Sequence, residues 1–208
     1  ARLEAKVERF EPIAGRLALD FVNTVGWRDR SEPEERLASF DDLLSWSRAV
    51  GLVSRSERKR LAAQGRLRPS QARAVVERAR VLREALHRLF ARFAAGQKPA
   101  RPDLDTLNDV LAQAPGRRRL RHQGRGFVWE ASGSRSLESI LWEVAWSAAD
   151  LLIHEAPKSI KRCAGTGCGW LFLDTSRNRT RQWCSMSSCG NRAKAKRHYA
   201  KRRRAEWE

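Results

Sequence analysis

All four cysteines of the chain lie in one short segment and form two equally spaced pairs. Four residues separate Cys163 from Cys168, four separate Cys184 from Cys189, and fifteen lie between the pairs. Two short loops that each supply two thiolates are typical of a tetrahedral zinc site. The sequence therefore predicts one zinc ion bound by these four residues. Because four protein sulfurs leave no position for water or substrate, we expect this zinc to be structural.

The alternative interpretation of this segment is a set of unconnected or redox-active cysteines. Four cysteines in 208 residues are too sparse for a disulfide scaffold. Their clustering favours metal binding in a reducing compartment, so we expect the protein to be cytoplasmic. No apolar run approaches the ~20 residues of a membrane span, so no membrane partner is expected.

The residues around the cysteines predict a small treble-clef-like fold. Trp170–Leu173 has the composition of a strand, 180–184 could return beside it, and 174–179 would form the turn between them. A helix would then begin with Cys189 in its first turn. So short a segment has too small an apolar core to fold alone, and bound zinc would supply the missing free energy.

Positive charge is concentrated in the same part of the chain. The net charge is +18, and residues 158–208 hold 14 of the 42 lysines and arginines but only 3 of the 24 acidic residues. A field of this kind indicates a polyanionic partner, most often nucleic acid. A generally arginine-rich, soluble surface is the alternative, and it explains the local concentration poorly.

The basic residues fall on a predicted loop tip and on the helix after Cys189. Ala195 and Tyr199 would face the zinc hairpin, and Asn178 at the tip could contact base edges. A solvated basic tail is the alternative. The predicted DNA-contacting residues are Arg177, Asn178, Arg179, Arg181, Asn191, Arg192, Lys194, Lys196, Arg197, Lys201 and Arg204.

The preceding part of the chain is predicted to be a mainly α domain with a small β-ribbon. We place the division at 157/158, giving a helical domain at 1–157 and a zinc finger at 158–208. Apolar periodicity and capping residues predict helices at about 14–27, 40–50, 55–65, 70–95, 102–113 and 137–155, and strands at 119–123 and 126–131.

The helical part carries no catalytic motif, so we do not expect an enzyme. Asp20 and Asn23 on the first helix could line a ligand pocket with Trp142 or Trp146. Helix capping and surface solvation are the alternative roles for these polar side chains.

Two stretches resemble known families. WLFLDTSRNRTRQWC followed by CSMSSCGNRAKAKRHYAKR closely resembles the CGNR zinc finger, whose signature stands here as Cys189 to Arg192. LALDFVNTV at 17–25 and FDDLLSWSRAVGL at 40–52 resemble the helical ABATE domain found before that finger. The resemblance implies a stress-induced bacterial transcriptional regulator that binds DNA through the zinc finger.

Three functions remain open from the sequence. The first is a DNA-binding regulator with a small-molecule effector, and we expect a homodimer because operators are commonly read by symmetric dimers. The second is RNA binding, which arginine-rich helices also serve. The third is a small-molecule enzyme in the helical domain, with a zinc finger that only stabilises it.

Overall fold

The computed structural model describes residues 10–114, 118–124, 126–131 and 136–205. Within these ranges the α-helices are α1 (Leu17–Val22), α2 (Phe40–Ala49), α3 (Arg55–Leu67), α4 (Pro69–Ala94), α5 (Arg101–Gln113), α6 (Ser139–His154) and α7 (Asn191–Ala205). The strands form three antiparallel pairs, which are β1 (Val25–Gly26) with β2 (Glu34–Glu35), β3 (Arg118–Gln123) with β4 (Gly126–Ala131), and β5 (Ile160–Arg162) with β6 (Leu171–Leu173). The predicted fold class, mainly α with a small ribbon and a four-cysteine finger, is confirmed.

Local side chains fix where α2 and α3 begin. The hydroxyl of Ser39 accepts a hydrogen bond from the backbone N–H of Asp42 at 3.2 Å. Before α3, Ser54 and Glu57 form the predicted capping box, with the Glu57 N–H donating to the Ser54 hydroxyl and the Ser54 N–H donating to the Glu57 carboxylate. These bonds satisfy N–H groups that the first helical turn leaves without a partner.

The long helix α4 organises the N-terminal part of the chain. It contacts α1, α2, α3, α5 and α6. Its predicted apolar stripe is buried at Val75, Ala79, Leu82, Leu86 and Leu89 and half-buried at Phe93. The helical periodicity of the sequence therefore identified the core-facing side of α4.

Apolar residues on two sides of 137–155 predict that this helix, α6, is central to the bundle, but its second apolar stripe is not in the core. The stripe that includes Leu141, Val144 and Ala148 is buried, as predicted. By contrast, Trp142 and Trp146 are half-buried and Ile153 is 72% exposed. The prediction that α6 lies centrally in the bundle is wrong for that side, because its described partners α1, α4 and α5 cover the first stripe.

The first helix is shorter than its apolar pattern predicts. α1 ends at Val22 rather than near Trp27, and Val25 and Gly26 pair instead with Glu35 and Glu34 of β2. Trp27 then takes a left-handed backbone conformation with φ of +52°. Strand pairing with β2, across the loop that follows Trp27, has overridden the local helical preference.

The predicted β-ribbon is present at β3 and β4. Leu120 pairs with Trp129 and His122 with Phe127, and the connection turns at Gly124, where φ is +63°. Alternation along 126–131 predicts that Phe127 and Trp129 share one face of the ribbon, but their side chains lie outside the described residues.

The strand pairing of the cysteine-rich segment differs from the prediction. β6 is a strand, but its partner is β5, which precedes Cys163, in the register Ile160 with Leu173 and Arg162 with Leu171. The predicted return strand at 180–184 is therefore wrong. Among the described residues, one backbone hydrogen bond joins 180–184 to the first cysteine loop (163–169), from the Ala164 N–H to the Gln182 carbonyl at 2.9 Å.

The predicted turn at 174–179 is stabilised by Asp174. One carboxylate oxygen accepts hydrogen bonds from the N–H and the hydroxyl of Ser176 at 3.0 and 2.6 Å, and the other accepts from the Arg181 N–H at 3.1 Å. Asp174 thereby closes the loop that presents Arg177 and Arg179.

No described helix is both long enough and apolar enough to cross a membrane.

Candidate metal centre and nucleic-acid interface

The four cysteine sulfurs converge on one point. The Sγ atoms of Cys163, Cys168, Cys184 and Cys189 all lie within 4.8 Å of one another, and all four residues are buried. The Cys168–Cys184 and Cys184–Cys189 sulfur distances are 3.8 and 3.6 Å. A tetrahedron with Zn–S bonds of ~2.3 Å has edges of about 3.8 Å. The donor set therefore fits zinc, and as thiolates the four sulfurs would fill its coordination sphere.

Nearby donors support the sulfurs. Cys163 Sγ accepts from the backbone N–H groups of Gly165 and Cys184 at 3.4 and 3.3 Å. The Arg192 guanidinium donates to Cys189 Sγ at 2.9 Å. A β-carbon on Gly165 would approach Cys189 Sγ to 2.8 Å, so this position requires glycine. Such donors stabilise thiolate over thiol and fix the ligand orientation.

The thiols of the cluster cannot all ionise unless a cation is shared between them. Hydrogen bonds from Cys168 and Cys184 lower the pKa of Cys163 to about 2. The hydrogen bond to Cys163 raises the pKa of Cys168 to about 12, and the pKa of Cys184 is raised as well. A divalent cation reverses this preference, because it favours the thiolate at every ligand.

The cysteine-rich segment is joined to the N-terminal part by backbone-directed hydrogen bonds. The buried amide of Asn23 bonds both backbone groups of Leu171, accepting from its N–H at 3.0 Å and donating to its carbonyl at 2.8 Å. The Trp170 indole N–H donates to the Val25 carbonyl at 2.7 Å. The side chain of Asn23 thus extends the edge of β6, a role that the sequence alone did not indicate.

The first cysteine loop also lies directly against the segment after β1. The Arg28 N–H donates to the Cys168 carbonyl at 3.2 Å, and Arg162 pairs with Asp29 at 2.5 Å. Gly169 has φ of +67°, and a β-carbon there would lie 2.6 Å from Asp29 Oδ1. Side chains are excluded at Gly169 both by conformation and by this close approach.

Most of the predicted DNA-contacting side chains are exposed. On the loop tip these are Arg177, Asn178 and Arg179, and on the first turns of α7 they are Asn191, Arg192, Lys194, Lys196 and Arg197. The side chains of Lys201 and Arg204 lie outside the described residues. The loop tip and the described start of α7 therefore form basic, accessible surfaces.

Arg181, which was predicted to contact DNA, is instead bound to backbone carbonyl groups within the protein. Its guanidinium donates to the carbonyls of Trp183, Cys184 and Ile13 and lies 4.4 Å from the centre of the Phe172 ring. These contacts connect the second cysteine pair to the N-terminal part. The structure does not place Arg181 with the exposed basic residues.

The predicted packing of Ala195 and Tyr199 on the zinc hairpin is wrong. Ala195 is exposed, and Tyr199 is 66% exposed. The apolar surface that these residues were expected to cover is already buried, because Phe172 lies in the core shared with the N-terminal helices. From Lys194 to Ala200, α7 therefore presents its side chains to solvent.

A groove of about 780 Å³ separates α7 from the first cysteine loop. Arg192, Lys196 and Arg197 line one side, and Arg30 contributes from the N-terminal part. Asp29 also lines the groove, where its carboxylate is paired with Arg162. Sequence reasoning missed Arg30, since its placement here depends on tertiary packing with no local signal.

The ligand pocket predicted on α1 and α6 is not assembled as expected. Asp20 and Asn23 border a small cavity whose aromatic lining residues are Phe10, Trp46 and Trp170, and neither Trp142 nor Trp146 lines that cavity. The carboxylate of Asp20 accepts from the Ala14 N–H at 2.9 Å, and burial raises its pKa to about 6. Asp20 therefore holds the backbone that precedes α1, and Asn23 connects the end of α1 to β6, so both polar side chains have structural roles.

Comparison with known families agrees with this architecture. The model of the ABATE family, described as "putative stress-induced transcription regulator", matches residues 15–155, and the CGNR zinc finger matches residues 159–202. None of the curated proteins compared with the chain matches it. Together the finger and the four-cysteine cluster point to zinc binding. Because the first match spans more than half of the chain, this protein belongs to the ABATE family and carries a CGNR zinc finger after the ABATE region.

Proposed function

We propose that the chain is a DNA-binding transcriptional regulator that recognises DNA with its zinc finger. The observation that carries the proposal is the exposed basic surface around the cysteine cluster. It comprises the loop tip at Arg177 and Arg179 and the first turns of α7 at Lys194, Lys196 and Arg197. Backbone phosphates supply most of the affinity of such surfaces, and bases are read by the few side chains that reach groove edges.

The proposed centre holds one structural zinc ion. The sulfur spacing and the burial of all four cysteines support a closed site with no position for substrate. The proposal therefore assigns the chain no catalytic activity. Native mass spectrometry should give a mass increment of one zinc per chain, removed by denaturation with a chelator. A second bound zinc would contradict the single-ion assignment.

Salt dependence of DNA binding tests the basic surface. Replacing both Lys196 and Arg197 by alanine should weaken binding to many duplex sequences and reduce the slope of log K against log salt by about two. Lys59 and Arg60, an exposed pair on α3, provide a control with the same charge change. Fluorescence anisotropy at several salt concentrations measures both slopes. Equal reductions would indicate general electrostatics rather than a defined interface.

Competition distinguishes DNA from RNA. Duplex DNA and a structured RNA of similar length are titrated against the labelled complex near physiological salt. The proposal expects duplex DNA to compete better, because the major groove admits an α-helix and the deep, narrow RNA groove does not. Tighter binding of RNA would overturn it.

We further propose that the regulator acts as a homodimer. One finger offers a small interface, and two-fold symmetric operators are commonly read by dimers. Sedimentation at micromolar concentration, with and without DNA, should show a species of two chains in at least the DNA-bound sample. A single chain under both conditions would contradict the proposal.

A further inference from the structure

One exposed arginine of the N-terminal part lies beside the zinc finger. Arg30 follows β1 and lines the groove of about 780 Å³ between α7 and the first cysteine loop. It belongs to the ABATE region, whereas the other cationic residues of the groove, Arg192, Lys196 and Arg197, belong to the finger. Both family regions therefore contribute positive charge to the same groove.

The side chain of Arg30 is held on two sides. Its guanidinium lies over the Trp27 ring, 3.6 Å from the ring centre. Its aliphatic part lies against Gly167 of the first cysteine loop, where a β-carbon would come within 2.9 Å of Arg30 Cγ. A guanidinium stacked on a ring still has N–H donors at its edge, because these donors lie in its plane. Arg30 therefore presents an oriented cation that loses little conformational freedom when it binds an anion.

The donors of Arg30 are not used within the described part of the chain. Its guanidinium contacts the Trp27 ring there but makes no hydrogen bond or ion pair. Arg28 and Arg36 of the same stretch are instead paired with glutamates. Since guanidinium has five N–H donors in a geometry that matches phosphate oxygens, Arg30 remains available to such an anion.

The charge of the groove favours an anion even with zinc bound. Four cationic side chains line it, and the carboxylate of Asp29, which also lines it, is paired with Arg162. One zinc ion with four thiolates carries about two negative charges. Cys189 is the ligand that reaches the groove wall, and its sulfur accepts a hydrogen bond from Arg192. The cations of the groove therefore exceed the negative charge of the metal centre.

We propose that Arg30 binds a backbone phosphate of duplex DNA and so extends the DNA-binding surface of the finger into the ABATE region. This inference rests on the proposed function, because it adds a contact to the same DNA complex. A phosphate oxygen accepts hydrogen bonds from the in-plane N–H groups of Arg30, while α7 contacts neighbouring phosphates. Because phosphate contacts fix the orientation of a protein on the duplex, Arg30 helps to position the finger.

Salt dependence tests the contact in the zinc-bound full chain. Arg30→Gln should weaken duplex binding by about threefold or more and reduce the slope of log K against log salt by about one, because one phosphate contact is lost. Arg30→Lys keeps the charge and should retain the slope. Arg66→Gln, the same charge change at an exposed position of α3, should alter neither quantity. An unchanged slope in Arg30→Gln, or an equal reduction in Arg66→Gln, would overturn the proposal.

Chemical modification of arginine locates the contact without a substitution. Phenylglyoxal reacts with accessible guanidinium groups, and mass spectrometry of the digested chain gives the rate at each arginine. Saturating duplex DNA should slow the reaction of Arg30 by about threefold or more, because the bound guanidinium is withdrawn from the reagent, and should leave Arg66 unchanged. The same rate at Arg30 with and without DNA would contradict the contact. Protection by a structured RNA but not by duplex DNA would contradict it as well.

The outcomes separate this contact from the proposed function. If the wild-type chain binds duplex DNA but Arg30 is neither protected nor required, the proposed function stands and the contact by Arg30 is rejected. If the wild-type chain binds no DNA, both are rejected.

Discussion

Asn23 shows how one side chain joins the two family regions. Its amide bonds the N–H and carbonyl of Leu171 and is only 5% exposed. Asn23 lies in the conspicuous LALDFVNTV stretch, where we expected a pocket residue. The structure instead gives it the role of one extra strand residue beside β6.

Replacing Asn23 by alanine should destabilise the whole chain. Two buried backbone groups of Leu171 lose their partner, which costs about 2–3 kcal/mol in the free energy of unfolding. Urea denaturation measures the change. Asn178→Ala, at an exposed loop position, should change it by less than about 0.5 kcal/mol. Similar small effects for both variants would contradict the assigned role.

Because His87 is buried, we expect its protonation to lower the free energy of unfolding in mild acid. Burial, followed by the charge of Arg28, lowers its pKa to about 4, with Arg162 adding to this effect and Glu84 opposing it. The unfolded chain binds this proton near pH 6.5, so the stability from neutral His87 is complete above pH 6.5 and decreases as the pH falls towards 4. His87 alone should contribute a loss of about 2 kcal/mol between pH 7.5 and pH 5, and Asp20, whose pKa is raised to about 6, opposes this loss over the same range.

Urea titrations at these two pH values test the histidine. His87→Leu should reduce the loss of stability by about that amount, while His154→Leu, at an exposed position of α6, should not. Zinc content is followed in parallel, because acid also protonates thiolates. The same pH dependence in both variants would exclude His87 as its source.

Among the structural elements, the first cysteine loop packs closely against the segment after β1. Gly169 and Gly51 both have positive φ, of +67° and +76°, but a β-carbon at Gly51 meets nothing within 4 Å whereas one at Gly169 meets Asp29. A side chain at Gly51 would therefore meet only backbone strain, whereas a side chain at Gly169 would meet both backbone strain and a steric clash.

Alanine at these two glycines should have unequal effects. Gly51→Ala should cost about 1–2 kcal/mol, the penalty for a left-handed alanine. Gly169→Ala should cost more, by about 1–3 kcal/mol, because the added methyl group also displaces Asp29 from Arg162. Thermal denaturation of both variants provides the comparison. Equal losses would show that the loop and the segment after β1 are not tightly packed.

Local sequence signals predicted these elements unequally. The capping box at Ser54 and the stripe on α4 were readable because they involve neighbours in sequence or on one helix face. The pairing of β5 with β6 and the early end of α1 were not, because both depend on which backbone segments pair, and residue type does not specify a strand's partner. Strand preference identified β6 but could not choose its partner.

In the whole molecule, the zinc finger and the N-terminal helices share one hydrophobic core. One cluster of buried residues contains all four cysteines and Phe172 together with α1, α2, α4 and α6 side chains. If the zinc finger were connected to the N-terminal helices only by a flexible linker, loss of the metal would unfold the finger and leave the helices intact. Here the loss of metal should be felt by the N-terminal helices as well, because they share buried surface with the finger.

Removal of one ligand tests this coupling. Cys184→Ser should abolish zinc binding and lower the unfolding midpoint of the entire chain, with α4 and α6 amides losing hydrogen-exchange protection. Ser187→Ala is the control, as an exposed serine in the same segment. Retained zinc would contradict the ligand set. Unchanged protection of α4 would contradict the coupling, even if zinc were lost.

Composition, spacing and periodicity specify the cysteine pairs, the basic character of residues 158–208 and the helical class of the preceding region. Tertiary packing sets which groups surround the metal centre. The hydrogen bonds of Asn23 to Leu171 and of Arg181 to Ile13 join residues 148 and 168 positions apart. Contacts over such separations arise from burial of a shared core, which no local pattern encodes.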